Sequence, residues 1–167
     1  MNDKTGLSLE NLLSPEGINL NLKSRDRDGV LEELVNQIPE LRAEPASRAT
    51  LLKALREREQ LHSTGIGDGI ALPHARNALV GLINQPVVVF GRHEPGIPFG
   101  AIDNIPARLF FLLIAPTVTQ HLGIIARLSR VLRDPRLRQS LLAADRPDKV
   151  IRLIGDAEKK AATPPAQ

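Results

Sequence analysis

Three glycines alternate over five residues in Gly65-Ile66-Gly67-Asp68-Gly69, and the apolar run Ile70-Ala71-Leu72 then leads into Pro73-His74. No other stretch restricts the backbone as much. Glycine reaches angles closed to other residues and lets main-chain N–H groups approach a ligand. Such N–H groups arranged as a nest hold anions, phosphate above all. Pro73 fixes its own φ and drives Leu72 toward extended geometry. The expected result is a rigid strand end that presents His74 beside a glycine-lined concavity. A positioned imidazole beside an anion cradle is what a phosphoryl acceptor needs.

The rest of the chain alternates helical and extended patterns. Leu9 to Leu13 reads as a short helix and Ile18 to Leu22 as a strand. Ser24 or Asp26 caps the next helix, whose buried face is Val30, Leu31, Leu34, Val35 and Ile38. Ser47 is the cap expected for a helix to about Glu59, with Leu51, Leu52 and Leu55 inward. Ile70 to Leu72, Val87 to Phe90 and Leu109 to Ile114 read as strands, the last two buried on both faces. Gly91 to Pro106 reads as loop, with Pro95-Gly96 and Asn104 as turn signals. Thr117 or Thr119 caps a helix to about Leu132 with Leu122, Ile125, Leu128 and Leu132 as its stripe. Helices from Pro135 to Leu142 and from Asp145 to Ile154 follow. Interspersed strands and helices predict an α/β fold, a mixed β-sheet flanked by helices. The expected organisation is an N-terminal extension over 1–8, one domain over 9–156 and a flexible tail over 157–167.

A chain of 167 residues with 42% hydrophobic content can bury one sizeable core, built from Leu, Ile, Val and Ala because it has four Phe and no Trp or Tyr. There is no cysteine, which excludes disulfides, thiolate zinc sites and cysteine catalysis. Residues 1–10 show no basic-then-apolar export signal, and the longest apolar run, Leu109 to Ala115, is too short to cross a bilayer. The expectation is a cytoplasmic protein with no membrane insertion. The 22 basic and 19 acidic residues are well mixed, without a basic run or stacking aromatics, so no nucleic-acid partner is expected.

His74 leads the candidates for chemistry, since a neutral imidazole forms covalent intermediates at physiological pH. Phosphoryl transfer asks a site to position groups and take up charge. Arg58, near a helix end one turn before the glycines, presents a guanidinium that can fork onto phosphate oxygens. Arg76, two residues after His74, competes for that role. His121 lies in the first turn of a helix, where free N–H groups attract anions. Structural readings stand beside each: a carbonyl-held histidine, an arginine answering a helix dipole, a polar helix start. His62 and His93 have no motif around them. Zinc on His74, His121 and Asp68 is the rival chemistry, but the spacing matches no paired-histidine pattern.

Ser63-Thr64-Gly65-Ile66-Gly67-x-Gly69-Ile70-Ala71-Leu72-Pro73-His74 closely resembles the active-site signature of the fructose/mannitol-type enzyme IIA domain of the bacterial phosphoenolpyruvate-dependent phosphotransferase system. Arg58-Glu59 fits that family's arginine-bearing helix end. Pro98-Phe99 and Gln120-His121-Leu122 fit its second half, so the resemblance runs from about Leu9 to Ile154. It implies that His74 carries the phosphoryl group, received from a small histidine phosphocarrier protein. By the same resemblance His121 and Arg58 stabilise that group, Ser63, Thr64, Gly65, Gly67 and Gly69 form the phosphate-binding loop, and no metal or cofactor is used.

Two positions depart from the pattern. Ala75 stands where many members have glycine, and Asp68 where a neutral residue is frequent. A carboxylate near the phosphoryl site would repel it and slow uptake. The Ser-Thr-Gly-Ile-Gly form is more like the nitrogen-type regulatory branch, in which phosphorylation changes a target protein partner. The alternatives are a sugar-transport IIA passing phosphoryl to a IIB cysteine, and a binding module that has lost phosphoryl uptake. Ile66, Leu72 and Ala75 are candidate apolar contacts for a docking carrier, and core packing explains Ile66 and Leu72 equally well.

Overall fold

A strand of eleven residues that opens on the apolar run Val87 to Phe90, followed nine residues on by one of eight that is almost wholly apolar, forms the central antiparallel pair. The computed structural model describes residues 7–75 and 81–162. Among them, β1 (Ile18–Asn19), β2 (Gly65–Gly67), β3 (Ile70–Ala71), β4 (Val87–Ile97) and β5 (Ala107–Ile114) form one sheet in the order β1-β4-β5-β3-β2. β4 and β5 run antiparallel from Val87↔Ile114 to Arg92↔Leu109. β1 is parallel to β4 and β3 is parallel to β5, so the sheet is mixed, as expected.

Side chains alternate across a strand, and here the alternation sorts the core into two layers. Val88, Phe90, Leu109, Phe111 and Leu113 face α1 (Leu9–Leu12), α4 (Val118–Val131), α5 (Pro135–Ala143) and α6 (Pro147–Ala162). Val87, Val89, Phe110, Leu112 and Ile114 face α2 (Arg27–Asn36) and α3 (Pro45–Leu61). The helices therefore cover both faces. Val30, Leu31, Leu34 and Val35 of α2 are buried, as expected, and so is Ile38 just beyond its end. Asp26 is its cap, accepting from Gly29 N–H at 2.7 Å, and Thr117 caps α4 by accepting from Gln120 N–H.

Several boundaries differ from the sequence expectation. β1 stops after two residues because the Asn19 side chain accepts from Asn21 N–H and turns the chain. α3 begins at Pro45, a residue pre-set for the first helical position, so Ser47 lies within the first turn and caps nothing. β4 continues to Ile97 through the stretch read as loop. A register shift between Arg92 and Ile97 absorbs Pro95-Gly96 before Ile97 pairs with Ala107. α6 reaches Ala162, past the start expected for the flexible tail. Its Glu158 accepts from Leu9 N–H and from Arg127 Nε, both at 2.7 Å, which holds the last turns of the helix against α1 and α4. In α4 the buried residues are His121, Ile124, Leu128 and Val131, while Leu122 is 61% exposed. The stripe is rotated because a histidine occupies a core-facing position.

Candidate active site

The glycine run folds as a β-hairpin and not as an open loop. β2 and β3 pair antiparallel, with Gly65 opposite Ala71 and Gly67 opposite Ile70. Asp68 and Gly69 form the turn with φ of 57° and 78°, the positive angles that two-residue hairpin turns need. Ser63, Thr64 and Gly65 lie at the open end, beside Leu72 to His74, where Leu72 N–H donates to Thr64 O at 3.0 Å. Gly69 lies at the closed end, about 16 Å along an extended chain from His74. Gly67 lies next to that end. The hairpin thus separates the glycines that the sequence reading placed in one cradle. Several of its amides also have partners already. Thr64 N–H donates to Glu59, Gly65 N–H to Ser63 Oγ at 2.9 Å, and Asp68 N–H to Asp103 at 2.8 Å.

Past β3 the alternation continues. Ile70 and Leu72 point into the layer that holds α4, and His74, two residues on, meets His121 of that helix. The rings are edge to face, with centroids 5.1 Å apart and planes at 76°. Pro73 is held to the sheet by Leu113 N–H, which donates to its carbonyl at 3.1 Å. The site therefore sits beyond the carboxyl ends of two parallel strands, β3 and β5, where open α/β sheets place ligands.

His74 is half-buried, and its Nδ1 lies 2.6 Å from the Leu72 carbonyl. A carbonyl only accepts, so Nδ1 carries the proton and Nε2 keeps its lone pair. Burial lowers the pKa of His74, the carbonyl bond opposes this, and the Arg58 guanidinium lowers it further. The ring is thus neutral and nucleophilic at physiological pH. Arg58, in the last turn of α3, donates from Nη1 to the His62 carbonyl and is near enough to act on His74 by charge. His121 is buried, and desolvation with the neighbouring His74 pushes its pKa down to about 4.

A histidine kept neutral in the fold makes stability depend on pH. In the unfolded chain His121 titrates near pH 6.5, at about the ordinary histidine value. Its contribution is complete above that pH and is lost as pH falls toward its folded value. His74 acts in the same direction. We predict a melting temperature that drops between about pH 7 and pH 4, with a shallower slope in His121→Gln. Parallel slopes in the two proteins would show that His121 is not held neutral.

The remaining residues fall as follows. Ser63 Oγ donates to the Phe99 carbonyl, anchoring the open end of the hairpin. Asp68 faces Arg138 at 4.0 Å and is 64% exposed. It sits at the far turn of the hairpin, at the opposite end from His74. Leu72 and Ala75 are 1% and 5% exposed, so they belong to the core and cannot be docking contacts. Ile66 is exposed, as are Leu61 at the end of α3 and Val118 and Leu122 on either side of His121. His93 is buried between the Ser24 carbonyl and Gly96 N–H. Arg76 lies outside the described residues. Among the described residues no three His, Cys, Asp or Glu side chains gather as a metal ion requires, and no helix is long and apolar enough to cross a membrane.

The sequence reading gave no role to Glu59, which is 3% exposed and accepts from both Thr64 N–H and the Thr64 hydroxyl. A signal was present: Glu59 continues the i, i+4 spacing of Leu51 and Leu55, the buried residues of α3.

Residues 11–157 match the family described as the phosphoenolpyruvate-dependent sugar phosphotransferase system, EIIA 2. The fructose-specific EIIABC component of Bacillus subtilis is 34% identical over 155 residues, 92% of this chain and 24% of its own length. This chain therefore spans about a quarter of that relative. The nitrogen regulatory protein of Bradyrhizobium diazoefficiens is 31% identical over 140 residues, covering 83% of this chain and 88% of its own. Among solved structures, the nitrogen regulatory protein IIA-Ntr of Neisseria meningitidis superposes with a TM-score of 0.77 at 28% identity, covering 87% of this chain and 97% of that one.

Proposed function

Because this chain belongs to the EIIA type 2 family of the phosphoenolpyruvate-dependent sugar phosphotransferase system, we propose that it carries a phosphoryl group on His74 Nε2. The donor is a histidine phosphocarrier protein. One observation carries the reading: Nδ1 lies against the Leu72 carbonyl, which calls for the proton on Nδ1 and leaves Nε2 its lone pair, on a ring that meets His121.

The Nε2 lone pair attacks phosphorus in line. The new N–P bond forms as the N–P bond of the donor phosphohistidine breaks, and the donor imidazole leaves with its electron pair. His74 needs no base, because Nε2 has no proton to lose. Charge spreads over the equatorial oxygens in a loose transition state. Arg58 supplies a fixed positive charge there, and His121 supplies a ring N–H. A phosphoryl dianion beside His121 favours its charged form, the reverse of what His74 does in the free protein. Of the hairpin residues, Ser63, Thr64 and Gly65 shape this end of the site, with their own donors committed to the Phe99 carbonyl, Glu59 and Ser63 Oγ. Exposed Ile66, Val118 and Leu122 give a carrier an apolar surface on which to approach closely.

A regulatory role, in which the phosphorylated and free forms differ in their target protein, is supported by the nitrogen regulatory relatives and by the Ser-Thr-Gly-Ile-Gly form. Passage of the group to a IIB cysteine for sugar transport is the second reading, supported by the fructose-specific relative. A chase separates them. Phosphorylated protein is mixed with fructose- and mannitol-type IIB proteins, and loss of phosphoryl is followed by mass. Retention of the group on this chain fits the regulatory role, and rapid transfer to a IIB cysteine overturns it.

A further inference from the structure

A nucleophilic imidazole needs its tautomer and its ring orientation fixed, and here three hydrogen bonds in series reach it from α3. The Glu59 carboxylate accepts from Thr64 N–H at 3.0 Å and from the Thr64 hydroxyl. The Thr64 carbonyl accepts from Leu72 N–H at 3.0 Å. The Leu72 carbonyl accepts from His74 Nδ1–H at 2.6 Å. Each residue in the series is pinned through one of its two flanking peptide groups and holds the next residue through the other, so the bonds act by fixing where the Leu72 carbonyl sits.

Burying a carboxylate is costly unless donors satisfy it. Glu59 sits where the spacing of α3 calls for a leucine, and burial pushes its pKa up. The two Thr64 donors and the Arg27 and Arg58 guanidiniums pull the other way and keep it an acceptor. An apolar residue would fill this position more simply if packing were its only purpose.

We infer that Glu59 is a positioning residue for phosphoryl transfer: through Thr64 and Leu72 it holds the Leu72 carbonyl against His74 and so fixes the Nδ1–H tautomer with Nε2 free. The inference rests on the reading of His74 as the phosphoryl acceptor. The hydrogen bonds that Glu59 accepts come from Thr64, so it acts on the imidazole through its neighbours.

The test reads the tautomer in the unphosphorylated protein, so it does not depend on any donor. Nitrogen-15 spectra of the wild type show His74 Nδ1 protonated and Nε2 bare. In Glu59→Ala, and in Glu59→Leu, which fills the volume without an acceptor, the two nitrogen shifts move toward each other as both tautomers populate. Phosphoryl uptake falls about 10- to 100-fold, the loss expected when a reacting group is poorly oriented. Glu59→Gln, which keeps an oxygen toward Thr64 N–H, restores the tautomer and most of the rate. An unchanged tautomer in Glu59→Ala or Glu59→Leu overturns the inference, as does failure of Glu59→Gln to rescue. A wild-type protein that takes up no phosphoryl group, yet shows the tautomer change in its variants, contradicts the reading of function and leaves the positioning intact.

Discussion

His74→Ala protein stays unphosphorylated in the presence of phosphorylated carrier, with uptake reduced by more than about 10⁴-fold, the scale seen when a covalent nucleophile is removed. Neither of the two other site residues takes over. Arg58 is a cation and forms no stable phosphoryl adduct under these conditions. His121 has a neutral ring, but it is buried with its edge against His74. His121→Ala removes a group that takes up charge, not the one that forms the bond. It slows uptake by about 10²- to 10³-fold, as loss of one transition-state donor does, and leaves the product in place. Arg58→Lys keeps the charge and loses the forked geometry, so its effect falls between that of His121→Ala and none. The measurement is a time course of intact mass for each variant. Equal losses in His74→Ala and His121→Ala would contradict the division of roles.

Phe111→Ala is expected to destabilise the fold by about 3–5 kcal/mol. Phe111 is fully buried at the centre of β5. It packs edge to face on Phe90 across the ladder, centroids 5.1 Å apart, in the layer shared with α4, α5 and α6. Truncation leaves a hole that neither strand can close, because both are pinned by their ladder. For a chain of this size the melting temperature drops by roughly 10 °C. The same layer carries Leu72 and the helix of His121, so uptake should also become more temperature-sensitive. Thermal unfolding of the two proteins checks this, and a shift within about 2 °C would mean that the cavity collapses without cost.

The layered architecture was legible because its periodicities are strong. Val87 to Phe90 and Leu109 to Ile114 are unbroken apolar runs, and Val30, Leu31, Leu34, Val35 and Ile38 keep helical spacing. His74, Arg58 and His121 were legible from the motif, and the fold brings all three to one end of the sheet. What escaped was the conformation of the glycines. Alternating Gly-x-Gly suits an anion nest and a tight hairpin equally, and the choice depends on β5 standing ready to pair with β3. Local pattern does not carry that information. The stripe of α4 was misplaced because histidine is a polar letter, although at position 121 it faces the core. Glu59 was passed over for the same reason. In both cases a titratable side chain occupies a buried helical position, and reading it as a break in the apolar pattern misplaced the stripe of α4 and hid Glu59.

Intact mass after incubation with phosphoenolpyruvate, enzyme I and histidine phosphocarrier protein tests the central claim most directly. The account predicts a gain of one acid-labile phosphoryl group, located on His74 and absent from His74→Ala. No gain with several phosphocarriers, or a phosphoryl group on any other residue, would contradict it.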